Sequence, residues 1–165
     1  MKKIWIVLLC GLCLTGCGAT ETMETISDDL EVSAQLPAAQ VELSVPGEME
    51  TAVLDAGDGS RLYMCDGYTV TVQTLNGGDL EKSVQTVTGF SKDSLTVMQT
   101  EAEGIVTYEC AWSAIGEEGD QTCRAVILDD GMYHYAVTVM ADYSLGGDLR
   151  ETWQEILGSV KLRTD

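Results

Sequence analysis

The chain has 165 residues, 45% of them hydrophobic, and 27 acidic against 9 basic side chains give it a net charge of −18. That length holds one domain with a sizeable core. An acid excess of this size repels phosphate backbones and anionic headgroups, which excludes nucleic acid and a bare lipid surface as direct ligands and ordinarily serves solubility.

Lys2 and Lys3 precede an apolar run from Ile4 to Leu14, and Leu14-Thr15-Gly16-Cys17 follows. A short basic start, an apolar stretch too brief to span as a mature helix and small residues before a cut make residues 1–16 an export signal. The cysteine directly after the small pair makes it a lipoprotein signal, with Cys17 Sγ as the atom that carries diacylglycerol. Ordinary secretion, with Cys17 a plain thiol, is the competing reading. Loss of residues 1–16 removes two lysines and no acid, so the mature chain is more acidic still. It also removes Cys10 and Cys13, leaving Cys65, Cys110 and Cys123 behind the lipidated Cys17. Three is odd, so at most one disulfide forms and the fold must stand on its core.

Residues 17–40 hold the lipidated cysteine and an acidic tether. From Gly18 to Gln40 there are acids at Glu21, Glu24, Asp28, Asp29 and Glu31, no bases and no sustained apolar period. Such a composition cannot offset its ordering entropy, and its charge keeps it extended. A single α+β domain is expected over residues 41–165. Val41-Glu42-Leu43-Ser44-Val45 alternates as a half-buried strand, stopped by Pro46-Gly47. Strands are expected at Arg61–Cys65 and Tyr68–Leu75, joined by Asp66-Gly67, a hairpin dipeptide. Asp79 caps a helix carrying Leu80, Val84 and Val87 on one stripe, and Gly89 stops it. Ser94–Thr100 reads as a strand. Gly104–Ile115, Gln121–Asp129 and Met132–Ala141 read as a meander, turning at Glu117-Glu118 and at Asp130-Gly131. A second helix capped near Asp148 buries Leu149, Trp153, Ile156 and Leu157 and ends at Gly158, before a short strand at Ser159–Leu162. Both helices begin Gly-Gly-Asp-Leu, which reads as convergent capping.

In that register Tyr108, Cys110, Trp112, Cys123, Ala125, Ile127, His134, Ala136 and Met140 share one face of the meander. Val126, Leu128, Tyr133, Tyr135, Val137 and Val139 share the other, with Glu109 and Arg124. Both faces are largely apolar and both need cover. The expected architecture is therefore a twisted antiparallel β-sheet flanked by helices, an α/β/α sandwich.

The opening strand VELSVP, the pair GIVTYECAWSAI and QTCRAVILDDGMYHYAVTVMA, and the ending LRETWQEILGSVKL resemble the PsbP/DcrB-like family. That family includes many small bacterial lipoproteins. The resemblance covers roughly residues 41–163 and implies the PsbP-like fold. Gly47-Glu48-Met49-Glu50 departs from it, lacking the aromatic-rich first loop common in the family. No shared active site comes with the resemblance.

The candidate chemistries are few. His134 is the only histidine, and any Ser/His/Asp or Cys/His set must use it; set between Tyr133 and Tyr135 in a strand, it reads as a packed or half-exposed strand residue, isolated from any nucleophile. Cys110, Cys123 and His134 share a face, but Cys123 and His134 fall roughly 13 Å apart at about 3.3 Å per residue, too far to close on one ion. Cys110 and Cys123 are diagonal neighbours that either form a strained disulfide or lie as buried thiols beneath a helix. Asp28-Asp29, Glu117-Glu118 and Asp129-Asp130 are adjacent acids in the tether or at turn tips, where solvent keeps both ionised. Asp55 to Ser60 lacks the alternating oxygens and distant glutamate of a calcium loop. No phosphate-binding or dinucleotide glycine motif occurs.

These readings point to a membrane-anchored extracytoplasmic lipoprotein with Cys17 as its one assigned site, no cofactor, no metal and no catalysis. Its domain is expected to act as a monomer that engages a protein or envelope partner. The alternative is a carrier of a small ligand or metal ion, with a pocket between sheet and helix.

Overall fold

The structure, a computed structural model, describes residues 38–55, 60–116 and 119–163. The signal segment, Cys17 and the tether as far as residue 37 lie outside them, as do Glu117 and Glu118. Nine strands and two α-helices are described: β1 (Gln40–Glu42), β2 (Glu48–Asp55), β3 (Ser60–Cys65), β4 (Tyr68–Asn76), α1 (Leu80–Thr88), β5 (Val97–Ala102), β6 (Ile105–Gly116), β7 (Gly119–Asp129), β8 (Tyr133–Asp142), α2 (Arg150–Ser159) and β9 (Lys161–Arg163), with short 3-10 turns at Lys92–Ser94 and Tyr143–Leu145. Seven strands form one antiparallel sheet in the order β2-β3-β4-β8-β7-β6-β5, and β1 pairs with β9.

The hairpin β3–β4 turns at Asp66-Gly67 as its sequence dictates, with Met64 opposite Thr69 and Gly67 at φ 80°. β8 lies mid-sheet, paired with β4 on one side and β7 on the other. Its residues from Tyr135 to Val137 are buried on both faces, which explains the nearly unbroken apolar run there.

Strand alternation sorts the core. Val70, Val72, Val126, Leu128, Tyr135, Val137 and Val139 share a face and a cluster with Trp153 and Ile156 of α2. Ile127 and Ala136 point the other way and cluster with Val84 of α1. Asp79 caps α1 as expected, its Oδ1 accepting from Lys82 N at 3.0 Å, and Gly89 ends it at φ 80°.

Four expectations need correction. The opening strand stops at Glu42; Leu43 and Val45 pack against the core outside any ladder, and Ser44 N–H is bonded by Ser159 Oγ. β2, an edge strand whose sequence lacks clean alternation, has no counterpart among the strands expected from the sequence. The β7–β8 turn sits one residue later than Asp130-Gly131: Asp130 N–H bonds Tyr133 O around Gly131-Met132, and Asp129 lies opposite His134. Asp130 takes the first turn position, where its carboxylate bonds the N–H groups of Met132 and Tyr133, a known preference of aspartate. The pairing moves by two residues, so every side chain keeps its face.

The fourth concerns α2. It begins at Arg150, without a side-chain cap, after a tight turn over Tyr143–Leu145, and runs through Gly158 to Ser159. The two Gly-Gly-Asp-Leu segments therefore share something other than capping. A Cβ on Gly77 would lie 2.6 Å from the Met132 backbone, and one on Gly146 2.6 Å from Thr122 Cγ2. In both, the first glycine permits a close approach to the meander.

Candidate functional site

The tip of the β7–β8 hairpin is where polar side chains converge. The sequence pattern reads Asp129-Asp130 as solvated turn acids, but the pair reaches inward to both faces of the sheet.

On the α1 face, Asp129 Oδ2 lies 3.3 Å from His134 Nε2, and His134 Nδ1 lies 2.7 Å from Ser83 Oγ. His134 is 1% exposed and Ser83 3%. A proton on Nε2 directed at the Asp129 carboxylate leaves Nδ1 to accept from the Ser83 hydroxyl. His134 is thus not isolated, which corrects the expectation. Serine, histidine and aspartate stand in the order of a nucleophilic relay. Yet the Ser83 oxygen sits within α1 and faces the sheet, with the imidazole sealed behind it. The string braces α1 against the sheet and satisfies two buried polar side chains.

On the α2 face, Tyr135 Oη donates to Asp130 Oδ2 at 2.7 Å and accepts from Ala39 N at 2.9 Å. Burial pushes the Tyr135 phenol up to about 12, helped by the Asp130 carboxylate. Burial alone would raise the Asp130 carboxyl, but the Tyr133 and Met132 N–H groups and the Tyr135 hydroxyl together hold it below the usual range. This chain of bonds ties the start of the described fold, at Ala39, to the hairpin tip.

A pH dependence follows from both groups. A depressed carboxyl stabilises the fold above its unfolded range and loses that contribution as pH falls; a raised phenol does so below its unfolded value and loses it as pH rises. Asp130→Asn is expected to flatten the loss of stability below about pH 4. Tyr135→Phe should remove the alkaline loss between about pH 10 and about 12. Denaturant midpoints measured across pH check both.

Ser83→Ala leaves His134 Nδ1 buried without its donor and should cost about 1–3 kcal/mol. A double-mutant cycle with His134→Gln should give a coupling of about 0.5–3 kcal/mol, read from urea unfolding.

The other sequence candidates stay apart. Cys110 lies opposite Ala125 as expected, but Cys123 lies opposite Met140, two places further from His134 than the expected register. Both thiols are buried and unbonded, and burial pushes each up to about 11. Among the described residues no three His, Cys, Asp or Glu side chains are grouped to hold a metal ion. Cys17 lies outside the described residues.

Two clefts open beside β5. One, of about 490 Å³, lies on the α1 side between Leu80, Lys92, Leu95 and Tyr108. The other, of about 170 Å³, lies on the α2 side between Met98, Ala111, Arg124 and Leu157. Neither is lined by Ser83 or His134.

No protein-family model matches the chain, and no curated protein matches it in sequence. Solved structures do. Cyanobacterial PsbP (CyanoP) from Synechocystis superposes with a TM-score of 0.53 at 11% identity, over 91% of this chain and 99% of that one. The chain has a PsbP-like fold. A protein from Bacteroides thetaiotaomicron matches with a TM-score of 0.49 at 14% identity, over 76% of this chain; this chain spans 46% of its length. LpqN, involved in cell envelope biogenesis of Mycobacterium tuberculosis, matches with a TM-score of 0.46 at 12% identity, over 79% of this chain and 88% of that one. At such identities the likeness is one of fold and carries no site residue across. The PsbP-like resemblance read from the sequence is met at that level.

Ser83 and the inward reach of Asp129 and Asp130 escaped the sequence reading. A signal was present: Ser83 lies three residues after Leu80 and one before Val84, at the rim of the buried stripe, where a hydroxyl needs a partner from the facing sheet.

Proposed function

We propose that the protein is an extracytoplasmic lipoprotein, anchored through diacylglycerol on Cys17, whose PsbP-like domain is an α/β/α sandwich that binds a protein or envelope partner without turning over a substrate. The observation that carries the non-catalytic part is the state of His134. It is the chain's only histidine, and it is 1% exposed and committed on both nitrogens. Nucleophilic chemistry by a Ser/His/Asp or Cys/His set would have to pass through this almost fully buried imidazole. The anchored part rests on Leu14-Thr15-Gly16-Cys17. A domain on an acidic tether meets membrane-surface partners at raised effective concentration, and its charge steers it toward basic surfaces.

The test is complementation by the lipidated full chain. His134→Gln keeps a polar side chain at the position and removes the imidazole; it is expected to rescue a deletion strain as wild type does. Loss of rescue by a folded, membrane-bound His134→Gln protein would move the chain to the enzymes. The carrier reading has the 490 Å³ cleft in its favour. It predicts a small molecule that co-purifies with wild type and is lost on Tyr108→Ala.

A further inference from the structure

The two edges of the large sheet are built differently. β2 meets β3 with register shifts between Glu48 and Glu50 and between Val53 and Asp55. Irregularity of that kind keeps an edge from templating another strand. β5 is the opposite edge. Its six residues pair with β6 without a shift, from Val97 opposite Cys110 to Ala102 opposite Ile105. They include no lysine and no proline, and every residue from Met98 to Ala102 is exposed. Among the described residues, only β6 pairs with β5.

The turn after β5 settles which backbone groups face outward. Glu103 and Gly104 have φ of 54° and 81°, the positive pair of a two-residue hairpin turn. Such a turn closes on a hydrogen-bonded pair, here Ala102 with Ile105. Alternation along an antiparallel ladder then directs the N–H and C=O groups of Val97, Gln99 and Glu101 away from β6.

Each face of this edge carries one of the clefts, and β5 side chains line both. Val97 and Gln99 enter the lining on the α1 side, beside Asp93. Thr96 and Met98 enter it on the α2 side, beside Ala111 and Leu157. A strand laid along β5 sends successive side chains to alternate faces. One set would reach the polar α1-side cleft, where Asp93 stands beside Lys92 and Glu101 follows Gln99 on the same strand face, the other the apolar α2-side cleft around Met98.

We propose that β5 is a docking edge to which an extended segment of a protein partner, alternating basic and apolar side chains, adds as one more strand of the sheet. This rests on the binding reading above and names its place and the chemistry of its partner. Main-chain pairing supplies the affinity and the two clefts the choice of side chains. Glu101, Glu103 and Asp93 favour the basic set, and a net charge of −18 opposes a second copy of the chain in that place.

The test titrates the lipidated full chain in detergent with peptides of about ten residues that alternate Lys with Val or Leu, and with a control set alternating Glu with the same residues. Amide exchange is read residue by residue. The basic set is expected to slow exchange at Val97, Gln99 and Glu101 by about tenfold or more, and the acidic set to leave it unchanged. Gln99→Pro removes an outward N–H and no ladder bond, and should weaken the basic peptides by about tenfold with the fold intact. Glu101→Lys leaves the backbone untouched and should shift the preference toward the acidic set. Unslowed exchange at the three amides, or equal affinity in wild type and both variants, overturns the proposal. Concentration-dependent self-association abolished by Gln99→Pro overturns it in favour of a second copy. Crosslinking in native membranes separates its failure from that of the binding reading. The same neighbours joined to wild type and Gln99→Pro remove β5 and keep the reading; no neighbour joined to either removes both.

Discussion

Trp153→Ala is expected to destabilise the domain by about 3–5 kcal/mol, the cost of emptying a large aromatic site that cannot fully collapse. Trp153 is 2% exposed and lies with Ile156 in the cluster that joins α2 to Val70, Val137 and Val139. Its helix has no N-terminal side-chain cap, so this packed face is the main hold on α2, beside the Ser44 N–H bond to Ser159 Oγ at its end. The indole also carries an unsatisfied donor: Nε1 is buried without a hydrogen-bond partner among the described residues. Trp153→Phe gives up volume but also removes that orphan N–H, and should cost clearly less than the alanine change. Urea unfolding of both variants checks the pair. A loss below about 1 kcal/mol for Trp153→Ala would mean that the side chain does not anchor α2 to the sheet.

What the sequence disclosed follows how local each determinant is. Asp66-Gly67, Asp79 and Gly89 act through bonds to their own neighbours, and each stands where its chemistry placed it. The face assignment of the meander survived a misplaced turn because a two-residue slip returns every side chain to its side. The α2 start failed because Asp148 resembles Asp79 in context, while the Tyr143–Leu145 turn and the contact of Gly146 with Thr122 decide where the helix begins. β2 has no local signature, and its pairing with β3 is what makes it a strand.

The candidate site was less legible for the same reason. The pattern placed His134 on a helix-covered face, but bringing Ser83 to Nδ1 and Asp129 to Nε2 depends on how α1 docks and on the hairpin's true register. Likewise, the fact that β5 ends the sheet follows from strand order, with β4 pairing to β8 across the whole meander. A 3.6- or two-residue period carries no information about which strand lies last. Acids at a turn tip make the general point. Sequence adjacency suggests two solvated charges, yet alternation along the strand sends Asp129 to one face and Asp130 to the other, each with a buried partner.

Cys17→Ala is expected to abolish membrane attachment, either by leaving the signal uncut or by releasing the chain. Each buried methylene of an acyl chain contributes about 0.8 kcal/mol, so two long chains contribute on the order of 20 kcal/mol, whereas one shorter chain binds only marginally. Nothing described in the folded domain replaces that. No described helix is long and apolar enough to cross a membrane, and a net charge of −18 works against adsorption to anionic lipid. The folded domain itself should be unaffected, because the described core runs from Ala38 onward and Cys17 lies outside it. Fractionation with a protease-protection assay reads both consequences: loss from the membrane pellet, and an unchanged resistant fragment. A Cys17→Ala chain that is cut after Gly16 and still sediments with membranes would take the lipid out of the account. Attachment would then have to come from a partner already gripped by the domain, and the exposed β5 edge is where such a partner would be sought.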